Sequence, residues 1–235
     1  MSTVSSSTTL MIEAGPAAPD APVTRTGGVP LAPAGTAWPH CASCEGPMTF
    51  LAEVFPEDAG GSGAGRAVLA LFACGNDPGM CEDWDPYAGG NRALLFARDG
   101  LAPLPAPEAA GGADGEGAFT LGAVRTVALE RVPGADYDQA RAAWTGDEEE
   151  GEDGEEPEEG EGAGKPAVLG QLGGHPAWIQ GDETPTCPAC ARPMPLAVQL
   201  EEGPDHRTAM NFGGGGCGYA FTCEPCGKAL FLWQC

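Results

Sequence analysis

The sequence predicts an α+β fold that is predominantly β, arranged as an internally duplicated domain of two lobes with a cysteine metal site in each lobe. Three observations indicate this fold. The motif C-x-x-C-x-x-P-M occurs twice, at Cys41–Met48 and at Cys187–Met194. Most apolar residues fall in short runs bounded by Gly, Pro or acidic residues, which is typical of strands. Only one segment of the chain has the spacing of an amphipathic helix.

The strands are predicted from alternating or continuous apolar runs of four to nine residues. They are Met48–Phe55, Ala67–Ala73, Ala93–Ala97, Val124–Val132, Leu196–Leu200, Tyr219–Thr222 and Ala229–Trp233. The helix is predicted at Tyr137–Trp144, because Asp136 can cap its N-terminus and Tyr137, Ala140 and Trp144 share one face. We expect that face to pack on a sheet.

The internal duplication is predicted from the alignment of the two C-x-x-C motifs. Upstream of them, Gly27–Pro30 (GGVP) aligns with Gly173–Pro176 (GGHP), and each begins fourteen residues before the first cysteine of its motif. Downstream, Phe72–Cys74 corresponds to Phe221–Cys223 with a shift of three residues. Because so many features keep their order and spacing, we infer that the chain contains two copies of one unit.

The composition divides the chain into ordered pieces and linkers. Segments poor in bulky apolar residues cannot bury enough surface to fold, so they are predicted to be disordered or extended. The prediction is a disordered tail at residues 1–25, a first lobe at 26–100, a linker at 101–117, a strand and a short helix at 118–145, an acidic linker at 146–165 and a second lobe at 166–235.

The charge of the chain restricts its partners. Its 235 residues carry a formal net charge of −23, so nucleic acid is excluded as a partner and a basic protein or a cation is favoured. Eleven acidic residues lie in Asp147–Glu161, a run that is either a solvated linker or a contact surface. The other candidate contact residues are Trp38, Trp84 and Trp178, each of which fits a place in the core better than an interface.

The location of the protein is predicted from what its N-terminus lacks. The first residues have neither the positive region nor the apolar region of a signal peptide, and no run approaches the roughly 20 apolar residues of a membrane span. We therefore expect a cytoplasmic protein with no membrane partner. In that reducing compartment, ten cysteines indicate metal ligands more readily than disulfides.

The second lobe contains the more regular candidate metal site. Cys187 and Cys190 form one arm and Cys223 and Cys226 the other, as tetrahedral zinc requires. The 32 residues between the arms exceed the usual spacing of about 15–20, which leaves room for an added hairpin. Four thiolates leave no open position on zinc, so the predicted site is structural.

The first lobe contains a less regular candidate site. Cys41 and Cys44 form one arm, whereas Cys74 and Cys81 in the other are separated by six residues. His40 is an alternative ligand if one thiol is displaced. The sequence thus predicts one or two structural zinc ions. Cys217 and Cys235 remain outside both sites, as ligand, packing residue or free thiol.

Two further functions stay open for these cysteines. A C-x-x-C pair also performs thiol–disulfide exchange, and a metal site with three protein ligands and a water could serve an enzyme. Exchangeable, weakly held metal would instead indicate a metal buffer or sensor. The thioredoxin-like motif opens a helix, whereas a predicted strand follows each motif here. No catalytic residues are identified.

Several motifs resemble known families. T-G-G-V-P, W-P and M-T-F-L-A-E in the first half, with L-G-G-H-P-A-W-I-Q-G-D, N-F-G-G-G-G-C-G-Y-A-F and F-L-W-Q-C in the second, resemble the YwqG-like family, a bacterial family of unknown function. That resemblance implies an α+β fold with internal duplication and brings no catalytic residues. C-x-x-C-x-x-P-M-x-F-L and L-G-G-x-P-A-W are similar to the programmed cell death protein 2 family, which is linked to chaperoning of a newly made ribosomal protein. The second resemblance implies a chaperone-like protein-interaction module, whereas the zinc prediction rests on the cysteine spacing.

Overall fold

The structure, a computed structural model, describes residues 7–56, 67–77, 80–108, 121–146, 165–203 and 210–235. The described residues form twelve β-strands, one α-helix and one short 3-10 turn. In chain order they are β1 Ser7–Gly15, β2 Arg25–Thr26, β3 Leu31–Pro33, β4 Thr49–Val54, β5 Ala67–Ala73, β6 Asn91–Ala97, β7 Leu101–Pro103, β8 Arg125–Pro133, α1 Tyr137–Thr145, β9 Val168–Leu172, β10 Leu196–Glu201, β11 Cys217–Cys223, the 3-10 turn Glu224–Cys226 and β12 Lys228–Gln234. The protein is therefore mostly β, as predicted.

Ten of these strands form one antiparallel sheet. Their order is β12-β11-β10-β9-β1-β8-β2-β4-β5-β6, and β3 pairs with β7 in a separate two-stranded ribbon. The two end strands, β6 and β12, lie beside each other, with a cleft of about 310 Å³ between them. The sheet thus curls into a nearly closed barrel.

The two halves of the sheet correspond strand by strand. On one side of the centre the order is β8-β2-β4-β5-β6, and on the other it is β1-β9-β10-β11-β12. Strand β1 comes before the first C-x-x-C motif in the chain, yet it pairs with β9 of the second half, while β8 pairs with β2 of the first. The halves therefore exchange their first strands within one continuous sheet. This arrangement supports the inference of an internal duplication.

The prediction of a disordered tail at residues 1–25 is wrong for most of that segment. Residues 7–15 form β1, a central strand that pairs with β8 on one edge and β9 on the other. The run Leu10-Met11-Ile12 is buried and supplies the apolar surface that the strand needs. Residues 1–6 lie outside the described part of the chain.

The described residues include only part of the two predicted linkers. Residues 101–103 of the predicted 101–117 linker form β7, which pairs with β3. The remainder of that linker is described only as far as residue 108. The acidic run Asp147–Glu161 lies outside the described residues.

The core has an inner part and four outer parts, of which the fourth lies beside the ribbon of β3 and β7. Inside the barrel, residues of both halves pack together, among them Met11, Leu71, Leu200 and Phe231. Each cysteine set packs on the outer face of its own half of the sheet. The third outer part lies under the helix α1. Both cysteine sets therefore rest on the outer surface of the barrel.

Helix α1 begins and ends as its sequence predicts. The Asp136 side chain accepts a hydrogen bond from the backbone N–H of Gln139, whose own side chain accepts one from the N–H of Asp136, which completes a capping box. Tyr137 and Ala140 are buried against β1 and β9, with Trp144 packed beside them. The predicted packing of this helix face on the sheet is confirmed. No helix in the described ranges is long and apolar enough to cross a bilayer.

Candidate metal centres

The first arm of each cysteine set lies in a tight turn before a strand. The N–H of Cys41 donates to the carbonyl of Gly46 at 2.9 Å, and the N–H of Cys187 donates to that of Arg192 at 2.8 Å. The residue after the second cysteine has a left-handed backbone in both turns, with φ of 62° at Glu45 and 55° at Ala191. Since non-glycine residues rarely adopt that conformation, its presence in both turns indicates a shared local structure.

The second arm of the first set comes from the end of β5 and the loop that follows. Cys74 directly follows β5, and its N–H donates to the carbonyl of Gly90 at 2.8 Å. Gly90 also passes so close to the Cys81 carbonyl that a Cβ atom would lie 2.2 Å from that oxygen. Only glycine fits there, so Gly90 allows the six-residue loop to return Cys81 to the site.

The second arm of the second set is more compact. Cys223 is the last residue of β11, and Cys226 ends the 3-10 turn that follows it. Gly227 then adopts φ of 60°, which reverses the chain into β12. The two cysteines therefore stand on one turn, as in the first arm.

The four sulfur atoms of each set converge. In the set Cys41, Cys44, Cys74 and Cys81, and in the set Cys187, Cys190, Cys223 and Cys226, all four sulfurs lie within 4.8 Å of one another. The Sγ atoms of Cys44 and Cys74 are 3.7 Å apart, and those of Cys190 and Cys223 are 3.9 Å apart. Sulfurs about 2.3 Å from a tetrahedral zinc lie roughly 3.8 Å from each other, so both sets fit that ion.

Apolar side chains cover the protein side of each set. Cys41, Cys74 and Cys81 are buried beside Trp38 and Phe72, whose rings meet edge to face with centroids 5.6 Å apart. In the second half, Cys187 and Cys223 are buried near Trp178, which stacks on Phe221. Trp38 and Trp178 are thus part of the core beneath the cysteines, which is one of the two roles the sequence left open for them.

Hydrogen bonds favour the thiolate of Cys44 in the first set, whereas burial raises the pKa of Cys74 and of Cys81. The side-chain N–H groups of Asn76 lie 3.5 Å from the Cys44 sulfur and 3.4 Å from the Cys74 sulfur. Burial raises the pKa of Cys44, but hydrogen bonds from the Gly46 backbone, from neighbouring thiols and from Asn76 outweigh it and lower that pKa to about 7. Asn76 is a residue that the sequence did not point to.

Arg192 has the corresponding role in the second set. Hydrogen bonds from its side chain and its backbone lower the pKa of Cys190 to about 6. The attraction is mutual, because the Cys190 thiolate raises the pKa of Arg192. Four thiolates around a divalent ion leave a net charge of −2, and a guanidinium offsets part of it. The two sets therefore differ in their outer partners, an amide at one and a cation at the other.

The remaining candidate ligands stand apart from both sets. The His40 ring is exposed and its Nδ1 lies 2.7 Å from the carbonyl oxygen of Glu45, and this histidine is not part of the converging set. Cys217 is half-buried at the start of β11, where burial raises its pKa to about 11. Cys235 is an exposed free thiol. Each set thus has four cysteines without help from these residues.

Both sets suit a soft divalent metal by their chemistry. Four thiolates in tetrahedral array select zinc or iron–sulfur chemistry, and they leave no coordination position for a water or a substrate. The described cysteines are all free thiols. The arrangement can therefore hold a closed metal site on the outer face of each half of the barrel.

Similarity to known proteins extends over most of this fold. A stretch of 73 residues is 41% identical to the "Uncharacterized protein YpfL" of Salmonella typhimurium, and the match covers 29% of this chain and 16% of that protein. The family model described as "Domain of unknown function (DUF1963)" matches residues 24–225, which include both cysteine sets apart from Cys226. The chain belongs to this domain family of unknown function.

Proposed function

We propose that the protein binds two structural zinc ions, one in each cysteine set, and acts as a protein-interaction module. The observation that carries this proposal is the convergence of two separate groups of four cysteine sulfurs, each within 4.8 Å. Zinc suits such a group because it has no redox chemistry and accepts tetrahedral thiolate ligands.

The zinc ions would support loops that the barrel alone cannot fix. Each set joins a turn before one strand to the end of the next strand, so a bound ion ties β4 to β5 and β10 to β11 at their ends. The chain is rich in glycine, with 37 of 235 residues, which weakens local structure. Metal binding would then contribute folding free energy directly.

The geometry favours structural metal over thiol–disulfide exchange. An exchange site needs one reactive pair, whereas each C-x-x-C pair here faces a second pair of thiols. It also gives no support to a metal-dependent enzyme, because the first set offers four sulfurs and not three ligands with an open position. An experiment is needed to distinguish a structural zinc protein from a metal buffer or sensor.

The interaction role is proposed from charge and from resemblance. A net charge of −23 favours a basic protein partner in the cytoplasm. The similarity of the cysteine motifs to the programmed cell death protein 2 family supports a chaperone-like role, and the resemblance to the YwqG-like family agrees with membership of a family without assigned function.

The test is a count of metal and of reactive thiols on protein purified without chelator. We expect close to two zinc ions per chain, and reaction of only about two of the ten thiols under native conditions. Those two would be Cys235, which is exposed and should react fast, and Cys217, whose burial and raised pKa should make it react slowly. Denaturation with a chelator should expose all ten.

Two other outcomes would redirect the proposal. A chain without metal that contains disulfides would overturn structural zinc and favour redox chemistry. Zinc that a weak chelator removes within seconds, with no change in the thermal unfolding midpoint, would indicate a buffer or sensor.

A further inference from the structure

The loop that supplies Cys81 presents an unusual concentration of apolar surface. Six large hydrophobic side chains are exposed among the described residues, and three of them lie in the short segment from residue 80 to residue 87. Met80 is 72% exposed, Tyr87 is 61% exposed and Trp84 is 41% exposed. Trp and Tyr are the residues that most often anchor protein interfaces, and Met is enriched there. We call these three side chains the aromatic loop surface.

The aromatic loop surface belongs to the first half of the barrel and is held in place by contacts with the second half. Trp84 packs edge to face against Trp233 of β12, with ring centroids 6.4 Å apart. The Trp233 indole N–H donates to the carboxylate of Asp83 at 3.2 Å. The Tyr87 hydroxyl donates to the carbonyl of Thr186 at 3.3 Å, next to the second cysteine set. A surface fixed in this way loses little conformational entropy on binding.

The charged side chains of the loop itself have one sign, whereas Arg92 and Lys228 line the neighbouring cleft beside Pro86. Residues 74–91 contain four acidic side chains and no basic one. Glu82 is exposed, and Asp85 is half-buried, with its carboxylate accepting hydrogen bonds from the N–H groups of Tyr87 and Ala88. Anionic lipid and nucleic acid would be repelled by this loop, and so would a second copy of a chain whose charge is −23.

We propose that the aromatic loop surface binds a basic polypeptide segment of a partner protein. Lys or Arg side chains would lay their alkyl stems on Met80 and place their cationic groups over the rings of Trp84 and Tyr87. The carboxylate of Glu82 would complement that positive charge. This inference rests on the proposed function, since the zinc ligand Cys81 fixes the loop.

The test uses two synthetic peptides of twelve residues on the zinc-loaded full chain. One alternates Lys and Arg with Leu, and the other replaces every basic residue with Glu. We expect micromolar binding of the basic peptide by calorimetry, weakened by higher salt, and no binding of the acidic one. Met80→Ala and Tyr87→Ala together should weaken binding about tenfold, in line with the loss of interface anchors.

The control variant removes two exposed apolar side chains elsewhere, with Val23→Ala and Leu121→Ala. It should bind within twofold of the wild type. Equal binding by the loop variant, or no binding of the basic peptide, would overturn the inference. Zinc content is measured on every variant, so a chain without zinc refutes the proposed function, whereas a chain with two zinc ions and unaffected binding refutes only the aromatic loop surface.

A second measurement, photo-cross-linking, uses only the wild-type chain, so it does not require any variant to fold. A photo-reactive group at one Leu position of the basic peptide should cross-link to residues 80–87 of the wild-type chain. Cross-links confined to other segments would place the binding site elsewhere and contradict the proposal.

Discussion

Arg25 and Glu53 form an ion pair that is completely buried in the first half of the barrel. The guanidinium and carboxylate lie 3.0 Å apart, and both side chains have no exposed surface. The second carboxylate oxygen accepts a hydrogen bond from the N–H of Leu31 at 2.7 Å, and the guanidinium also donates to the carbonyls of Gly27 and Val29. The pair therefore fixes the segment that follows the Gly-Gly turn.

The second half has an uncharged pair in the equivalent place. Gln171 and Gln199 occupy the positions that align with Arg25 and Glu53, and they are joined by an amide hydrogen bond of 2.9 Å. Gln199 accepts from the N–H of Ala177, and Gln171 donates to the carbonyl of His175. Both pairs satisfy one equivalent N–H, of Leu31 or Ala177, and one equivalent carbonyl, of Val29 or His175. The amide pair therefore fills most of the structural role of the ion pair.

Neutralising one partner of the ion pair should destabilise the protein strongly. Arg25→Gln removes the counter-charge of the Glu53 carboxylate and the donor to the carbonyls of Gly27 and Val29, which costs about 3–5 kcal/mol in the free energy of unfolding. The double variant Arg25→Gln with Glu53→Gln copies the second half, so we expect it to recover most of that loss. Denaturant unfolding of both variants measures the effect. A double variant no more stable than Arg25→Gln would contradict the equivalence of the two pairs.

The ion pair should also make stability depend on pH. Burial raises the pKa of Glu53 to about 7 from its usual value of 4.5, against the opposing charge of Arg25. A carboxyl group that holds its proton more tightly when folded stabilises the protein below the unfolded pKa, and this contribution is lost as pH rises to about 7. Relative to the double variant, the wild type should therefore lose stability between about pH 4.5 and pH 7. A constant difference over that range would show that Glu53 stays ionised when buried.

Loss of one ligand should remove one zinc ion. Cys223→Ser breaks the second set at a buried ligand, so we expect the zinc content to fall from about two to about one per chain, with a lower thermal midpoint. Cys235→Ser changes an exposed thiol outside both sets and is the matched control, for which we expect two zinc ions. Mass spectrometry under native conditions checks both. Full zinc in Cys223→Ser would show that three cysteines suffice.

The outer partners of the cysteines should tune each site separately. Asn76→Ala removes the amide donors to two sulfurs of the first set, and Arg192→Ala removes the guanidinium beside Cys190. Groups of this kind contribute about 10–100-fold in metal affinity. Competition with a coloured chelator should show one of the two zinc ions weakened in each variant and the other unchanged. Equal weakening of both ions would indicate a global loss of stability instead.

The sequence predicted most of the local structure correctly, because its signals are local. All seven predicted strands and the helix are present, with ends shifted by about two residues or fewer. The cysteine sets were predicted from spacing, since a C-x-x-C turn directs both sulfurs to one point. These features depend on residues that are near one another in the chain.

The features that the sequence did not reveal depend on distant contacts. Strand β9 reads as a short run containing Gly170 and Gln171, and its burial follows only from its place between β1 and β10. The charge of Arg25 gives no sign of its burial, because charged residues are rarely buried unless they are paired, and the pairing with Glu53 is a distant contact. Likewise, Asn76 reaches its sulfurs because the turn at Cys41 folds back onto the end of β5.

The structure and the composition of the N-terminal segment predict opposite effects of deleting it. That segment is rich in Ser, Thr, Ala and Pro, so composition predicts that it can be removed, whereas β1 pairs along both edges and its Leu10 and Met11 side chains have no exposed surface. Deleting residues 2–15 would expose the ladders of β8 and β9 and open the barrel at its centre, so we expect loss of cooperative unfolding and of bound zinc. Deleting residues 2–6 alone spares β1, and this shorter deletion should leave the thermal midpoint unchanged within about 2 °C, the scale expected when stability changes by well under 1 kcal/mol. A chain without residues 2–15 that still unfolds cooperatively at the wild-type midpoint would show that β1 is dispensable, and the two halves would then have to close directly on each other through β8 and β9.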